Sequence, residues 1–154
     1  NQYEKSLVTK YGVDQGNHDL LREITAAEFE GELLDLVVDD ASHFLDETRV
    51  TFNALFPLLR EGGAYVVEDW SWAHAKIDRP DDTPLLLPEK EPLTKLIFEL
   101  ILACPSTHQM IDKIVIDKNS AIVWRGNGLI ERHGFDVKKC SLSRGRDLIA
   151  SNQS

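Results

Sequence analysis

The stretch Leu34 to Trp70, LDLVVDDASHFLDETRVTFNALFPLLREGGAYVVEDW, decides the fold. It begins within a near-continuous apolar run, Leu33 to Val38 broken only by Asp35, the pattern of a strand covered on both faces in a parallel sheet. From Asp46 to Leu59 the apolar residues Val50, Phe52, Leu55, Phe56 and Leu59 approximate one face of a helix. That helix is predicted to stop before Gly62-Gly63, with Pro57 loosening its last turn. Ala64 to Val67 is a second buried strand. Each strand runs into adjacent carboxylates, Asp39-Asp40 and Glu68-Asp69, and His43 follows the first pair. Two parallel strands joined by a helix bring their carboxyl ends side by side, where open α/β sheets place their ligands. Four acids and a histidine are therefore expected to share one site.

Upstream, Lys10 to Val13 is a strand candidate ended by the turn-forming Asp14-Gln15-Gly16-Asn17, and His18 to Ile24 reads as a short helix. Downstream, Trp70 to Glu91 has no period and contains Pro80, Pro84 and Pro88, which predicts a long loop of the kind that often serves as a lid. Trp70, Trp72 and His74, near its start, can either pack that loop on the sheet or touch a substrate. Pro92 at a first helical position opens a helix with Leu93, Leu96, Ile97, Leu100 and Ile101 at core spacing and Pro105 just past its end. Ile111 to Ile116 and Ala121 to Trp124 flank Asp117-Lys118-Asn119-Ser120, an antiparallel hairpin pattern. The tail from Gly126 has no readable period.

The 154 residues, 42% of them apolar, suffice for one core, and the whole chain reads as a single domain. A formal charge of −9 argues against a surface that tracks nucleic-acid phosphates and fits small-molecule or cation partners. No apolar run approaches the roughly 20 residues that span a bilayer, and Asn1-Gln2-Tyr3-Glu4-Lys5 is not a signal sequence, so a cytoplasmic location is expected. Cys104 and Cys140 are too few and too far apart for a disulfide framework or a zinc knuckle.

The Leu34–Trp70 stretch closely resembles the second half of class I S-adenosylmethionine-dependent methyltransferases. Within them it is most similar to the metal-dependent sugar O-methyltransferases of macrolide biosynthesis and their relatives, including those called cephalosporin hydroxylases. Their D-D-G-S-H, L-x-P-x-L-x-x-G-G and E-D segments stand here as DDASH (39–43), FPLLREGG (56–63) and VVED (66–69). Asp14-Gln15-Gly16 resembles their G-D-Q segment with Val13 in place of the glycine, and the hairpin matches their antiparallel last strands. The resemblance implies a Rossmann-like α/β sheet with helices on both faces and a C-terminal hairpin. It also implies that Asp40, Glu68 and Asp69 bind magnesium, that His43 is the general base, and that Asp14, Gln15 and Asp39 contact S-adenosylmethionine. The acceptor it implies is a hydroxyl of a sugar or glycosylated natural product.

The glycine-rich donor loop of that family has no counterpart here, so two readings stay open: part of a longer methyltransferase, or a methyltransferase-like module that no longer binds donor. A sheet without its first strands leaves an edge that a second copy of the chain can cover. The acidic strand ends also resemble a phosphoacceptor receiver domain, but receivers are wholly parallel, and the hairpin argues against one.

Overall fold

The computed structural model describes residues 7–75 and 89–142. Helix α1 (His18–Glu28) is followed by strand β1 (Leu34–Asp39), helix α2 (Leu45–Leu55), strand β2 (Leu59–Glu68), helix α3 (Thr94–Ser106) and the hairpin β3 (Ile111–Ile116) and β4 (Ser120–Arg125). Single 3-10 turns form at Phe56–Leu58, Trp72–His74 and Val137–Lys139. The strands make one sheet in the order β1-β2-β4-β3, in which β1 and β2 are parallel and the other two pairings antiparallel. This is a mixed α/β fold.

The core lies between one face of the sheet and α2 and α3. Tyr65, Val67, Ala121 and Val123 supply the sheet side; Phe52, Phe56, Leu96 and Leu100 supply the helical side, all of them fully buried. Phe52 stacks on Phe56 at 4.7 Å and meets Tyr65 edge-on at 4.9 Å, both favourable aromatic geometries. The unpatterned tail joins this core through Phe135 and Val137, and the Val137 N–H donates to Asn53 Oδ1 at 3.0 Å. The opposite face is open among the described residues. Leu36, Val38 and Val115 there are 56%, 52% and 50% exposed, so β1 is covered on one face rather than on two.

The elements depart from the sequence expectations in ways that have physical causes. Lys10 to Val13 forms no strand: no described strand pairs with it, and Gly12 takes φ +67°. α2 ends at Leu55, and Pro57 sits in the 3-10 turn, where its fixed φ and missing N–H do no harm. Gly62-Gly63 do not end a helix but lie within β2. There the register jumps from Leu34↔Leu59 to Leu36↔Ala64, and a Cβ on Gly63 would stand only 3.0–3.2 Å from the carbonyl oxygens of Arg60, Asp35 and Leu34. Pro92 precedes α3 in an isolated bridge to Phe44, and Pro105 falls inside the helix's last turn instead of beyond it. Most of the expected lid, residues 76–88, lies outside the described residues.

A buried ion pair ties α2 to α3. Arg49 Nε and Nη2 donate to Glu99 Oε2 and Oε1, both at 2.8 Å, and Nη1 donates to Asp46 Oδ1 at 2.9 Å. Both partners are under a tenth exposed. Removing Glu99 leaves the buried guanidinium with only the exposed Asp46 as a charged partner and two of its N–H groups unmet, so Glu99→Ala is expected to lose about 3 kcal/mol in a urea titration, and Arg49→Met/Glu99→Leu to regain most of it. A loss for Glu99→Ala within the exposed-pair range of about 1 kcal/mol would refute that assignment.

The hairpin turn is held by Asp117, whose carboxylate accepts the backbone N–H groups of Asn119 and Ser120 at 2.8 and 2.7 Å and the Ser120 hydroxyl at 2.9 Å. These bonds hold its carboxyl below the ordinary value. The stability they add is present above the unfolded carboxylate pKa, about 3.9, and fades as pH falls through the lower folded value. Asp117→Asn should therefore melt below the wild type at pH 6, with the gap closing toward pH 3; a gap independent of pH would contradict this.

Candidate active site

The register of β1 against β2 builds the site. Asp39 pairs with Val67, so the residues that follow each strand, Asp40 on one side and Asp69 on the other, leave the sheet at the same end. One ligating atom from each of Asp40, His43 and Asp69 lies within 4.8 Å of the others. His43 Nε2 stands 3.7 Å from Asp40 Oδ1. Both acids are exposed and the imidazole is half-buried, an arrangement open to solvent on the acidic side. The Glu68 carboxylate is not part of this group. As the last residue of β2, paired with Ser120, it follows Ala64 and Val66 by strand alternation onto the open face.

His43 and Asp69 both have left-handed backbones, with φ +56° and +50°. Asp and His enter that region more readily than most residues, yet each costs on the order of 1–2 kcal/mol relative to the right-handed form. The segment just after β2 ties the neighbouring loops together. Trp70 Nε1 donates to the Asp117 carbonyl at 3.0 Å, Ser71 Oγ to the Lys118 carbonyl at 2.6 Å, and Trp72 Nε1 to the His43 carbonyl at 3.1 Å. His74 Nε2 meets Thr94 Oγ1 at the start of α3.

Asp39 plays a different part from its neighbour. Only 6% exposed, it accepts the Tyr65 hydroxyl and the Gln15 amide, both at 2.8 Å, one on each oxygen. Burial pushes its carboxyl above the ordinary value, opposed by the Tyr65 bond, the nearby His43 and the Gln15 bond. Burial next to this carboxylate likewise raises the Tyr65 hydroxyl well above its usual range. Gln15 Oε1 accepts the Ser42 N–H at 3.1 Å, so one amide fastens the segment before α1 to both ends of the DDAS turn. Asp14 is exposed and closes a local turn on the Gly16 N–H at 2.8 Å. Neither Ser42 nor Asp46 caps α2: the N-cap is Phe44, Ser42 Oγ accepts the Phe44 N–H, and Asp46 pairs with Arg49.

Sequence reasoning missed Tyr65 and left Trp72 without a role. A lone tyrosine in the apolar run Ala64–Val67 is the signal for the first, although the carboxylate it meets is on the neighbouring strand, opposite Val67. Trp72 leaves none, because its bond goes to a backbone carbonyl.

No protein-family model matches the chain. Over 66 residues it is 39% identical to demethylmacrocin O-methyltransferase of Streptomyces fradiae, an alignment covering 43% of this chain and 16% of that protein. Over 35 residues it is 54% identical to mycinamicin VI 2''-O-methyltransferase of Micromonospora griseorubida, covering 23% and 9%. Among solved structures it is similar to MycE methyltransferase of the mycinamycin pathway in complex with Mg, SAH and mycinamycin VI. The TM-score is 0.57 at 28% identity, over 77% of this chain and 32% of that one. The chain thus spans about a third of the solved structure it matches and less of the curated relatives. Its fold is a methyltransferase fold, and its homologues are sugar O-methyltransferases of natural-product pathways.

Proposed function

We propose that this chain forms the acceptor-binding part of an S-adenosylmethionine- and magnesium-dependent O-methyltransferase acting on a hydroxyl of a sugar or glycosylated natural product. The observation that carries the proposal is the convergence of Asp40, His43 and Asp69 at the ends of two parallel strands. Two exposed carboxylates fit a hard divalent cation, which takes oxygen ligands and keeps positions for water or substrate. No Lys or Arg is paired with Asp69 among the described residues, and Asp40 faces only His43, so their charge is open to a cation. Asp40 and Asp69 would hold the ion; Glu68, which the resemblance assigns as a third ligand, stands outside their group on the open face of the sheet.

A bound divalent cation supplies Lewis acidity, which eases loss of a proton from a coordinated hydroxyl. The chain's own contribution is to orient and to accept. His43 presents an imidazole, the side chain best able to take a proton near neutral pH, at the edge of the acidic group. Its proton comes from the acceptor hydroxyl, whose oxygen then takes the sulfonium methyl and leaves S-adenosylhomocysteine. Gln15, held by its bond to the buried Asp39, would meet the donor for the pair that the resemblance assigns, with Asp14 at the rim.

Calorimetric titration of the full-length protein is expected to show binding of both S-adenosylmethionine and magnesium. Asp40→Ala should cut metal-stimulated methyl transfer by at least about 100-fold, beyond what loss of an outer-shell partner causes, with the circular dichroism spectrum unchanged. Binding of neither ligand would sink the proposal in favour of a module that has lost donor binding, and so would full activity in the Asp40→Ala protein.

A further inference from the structure

Of the residues around the site, Trp72 has a geometry that its assigned neighbours do not explain. Its indole N–H reaches 29 residues back in the chain to a single acceptor, the carbonyl of His43, at 3.1 Å. That carbonyl belongs to a residue held at φ +56°, outside the regions most side chains occupy, and next to Phe44, which caps α2 without any side-chain hydrogen bond. Within the DDASH turn, His43 is bracketed by the Ser42 Oγ bond to the Phe44 N–H and its imidazole approaches Asp40, but neither contact holds its peptide oxygen. Ser42 is fixed by Gln15, and the Phe44 N–H by Ser42 Oγ, but the His43 peptide oxygen has Trp72 as its side-chain partner. A left-handed residue persists only where its surroundings over-determine it. The same 3-10 turn that carries Trp72 follows Asp69, the second left-handed residue, and is anchored at its far end by His74 on Thr94.

We infer that Trp72 is a positioning residue: by fixing the His43 carbonyl it locks His43 in the left-handed conformation that turns its imidazole toward Asp40 and Asp69. This rests on the functional reading above, in which His43 accepts the proton. Trp72 touches neither the acids nor the imidazole through its hydrogen bond, so its influence passes through the His43 backbone. The β2–α3 connection is thereby coupled to the β1–α2 turn, and the base sits at the coupling.

The test replaces Trp72 in the full-length protein by phenylalanine and, to guard against loss of packing, by 3-benzothienylalanine, which keeps the bicyclic shape and lacks the N–H. Two readouts are taken: methyl-transfer kinetics, and the imidazole nitrogen resonances of His43 in the absence of metal and donor. Both variants are expected to lower kcat about tenfold while leaving KM for S-adenosylmethionine unchanged, because misplacement of a reacting group falls on the rate and not on donor binding. The His43 resonances should move in both. Unchanged kcat together with unmoved resonances in the benzothienyl protein would overturn the inference. If the wild type shows no metal-stimulated transfer, the functional reading fails by itself, and the His43 resonances alone still decide whether Trp72 sets that side chain.

Discussion

Adjacent parallel strands lie about 4.8 Å apart, and because β1 and β2 are paired so that Asp39 faces Val67, two acidic dipeptides emerge at that spacing. Four carboxylates so close together repel unless something separates or neutralises them. The structure gives each a different solution. Asp39 is buried and saturated by Tyr65 and Gln15. Glu68 follows the pleat to the open face. Asp40 stays in solvent facing His43, and Asp69 is swung by its left-handed backbone into the same group. The rest of the site is arranged around this dispersal of charge.

The opposite end of the sheet shows what the site end lacks. There the Nη atoms of the buried Arg125 guanidinium donate to the carbonyls of Met110, Gly126 and Gly128, closing the base of the hairpin, while its Nε has no partner among the described residues. At the site end, in contrast, protein donors meet the carboxylates of Asp39 and Asp117, while those of Asp40 and Asp69 accept no hydrogen bond among the described residues. An end finished by the protein itself holds the strands in place; an end left with open anionic oxygens can bind a ligand without reorganising the sheet, which is the preorganisation that binding and catalysis reward.

How much of this was legible followed from which physics carries each feature. The two acidic strands and the hairpin show as runs of apolar residues, because burial of those runs is what makes them strands. Helix ends were misread where Gly and Pro act in the sheet or in 3-10 turns: Gly62-Gly63 permit a close backbone approach in β2, and Pro105 is tolerated in a last turn. Lys10 to Val13 has strand composition but finds no described neighbour, and pairing is not written in a single segment. In the site, residue types marked Asp40, His43 and Asp69. The pleat, which sends Glu68 away from them, and the bonds of Trp72 and Gln15 depend on three-dimensional placement that no local pattern encodes.

The strand order has a consequence for how the chain comes to be folded. β2 is flanked by β1, made just before it, and by β4, whose pairing residues Ser120 to Trp124 lie more than fifty positions further along. At ribosomal speeds of roughly 5–20 residues per second, the second edge of β2 waits on the order of several seconds for its partner. During that interval the apolar segment Ala64–Val67 offers unpaired amides and carbonyls to any passing strand. The hairpin can assemble from its own local contacts in microseconds once complete, so emergence of β4, and not pairing itself, sets how long the nascent chain stays vulnerable to misassociation.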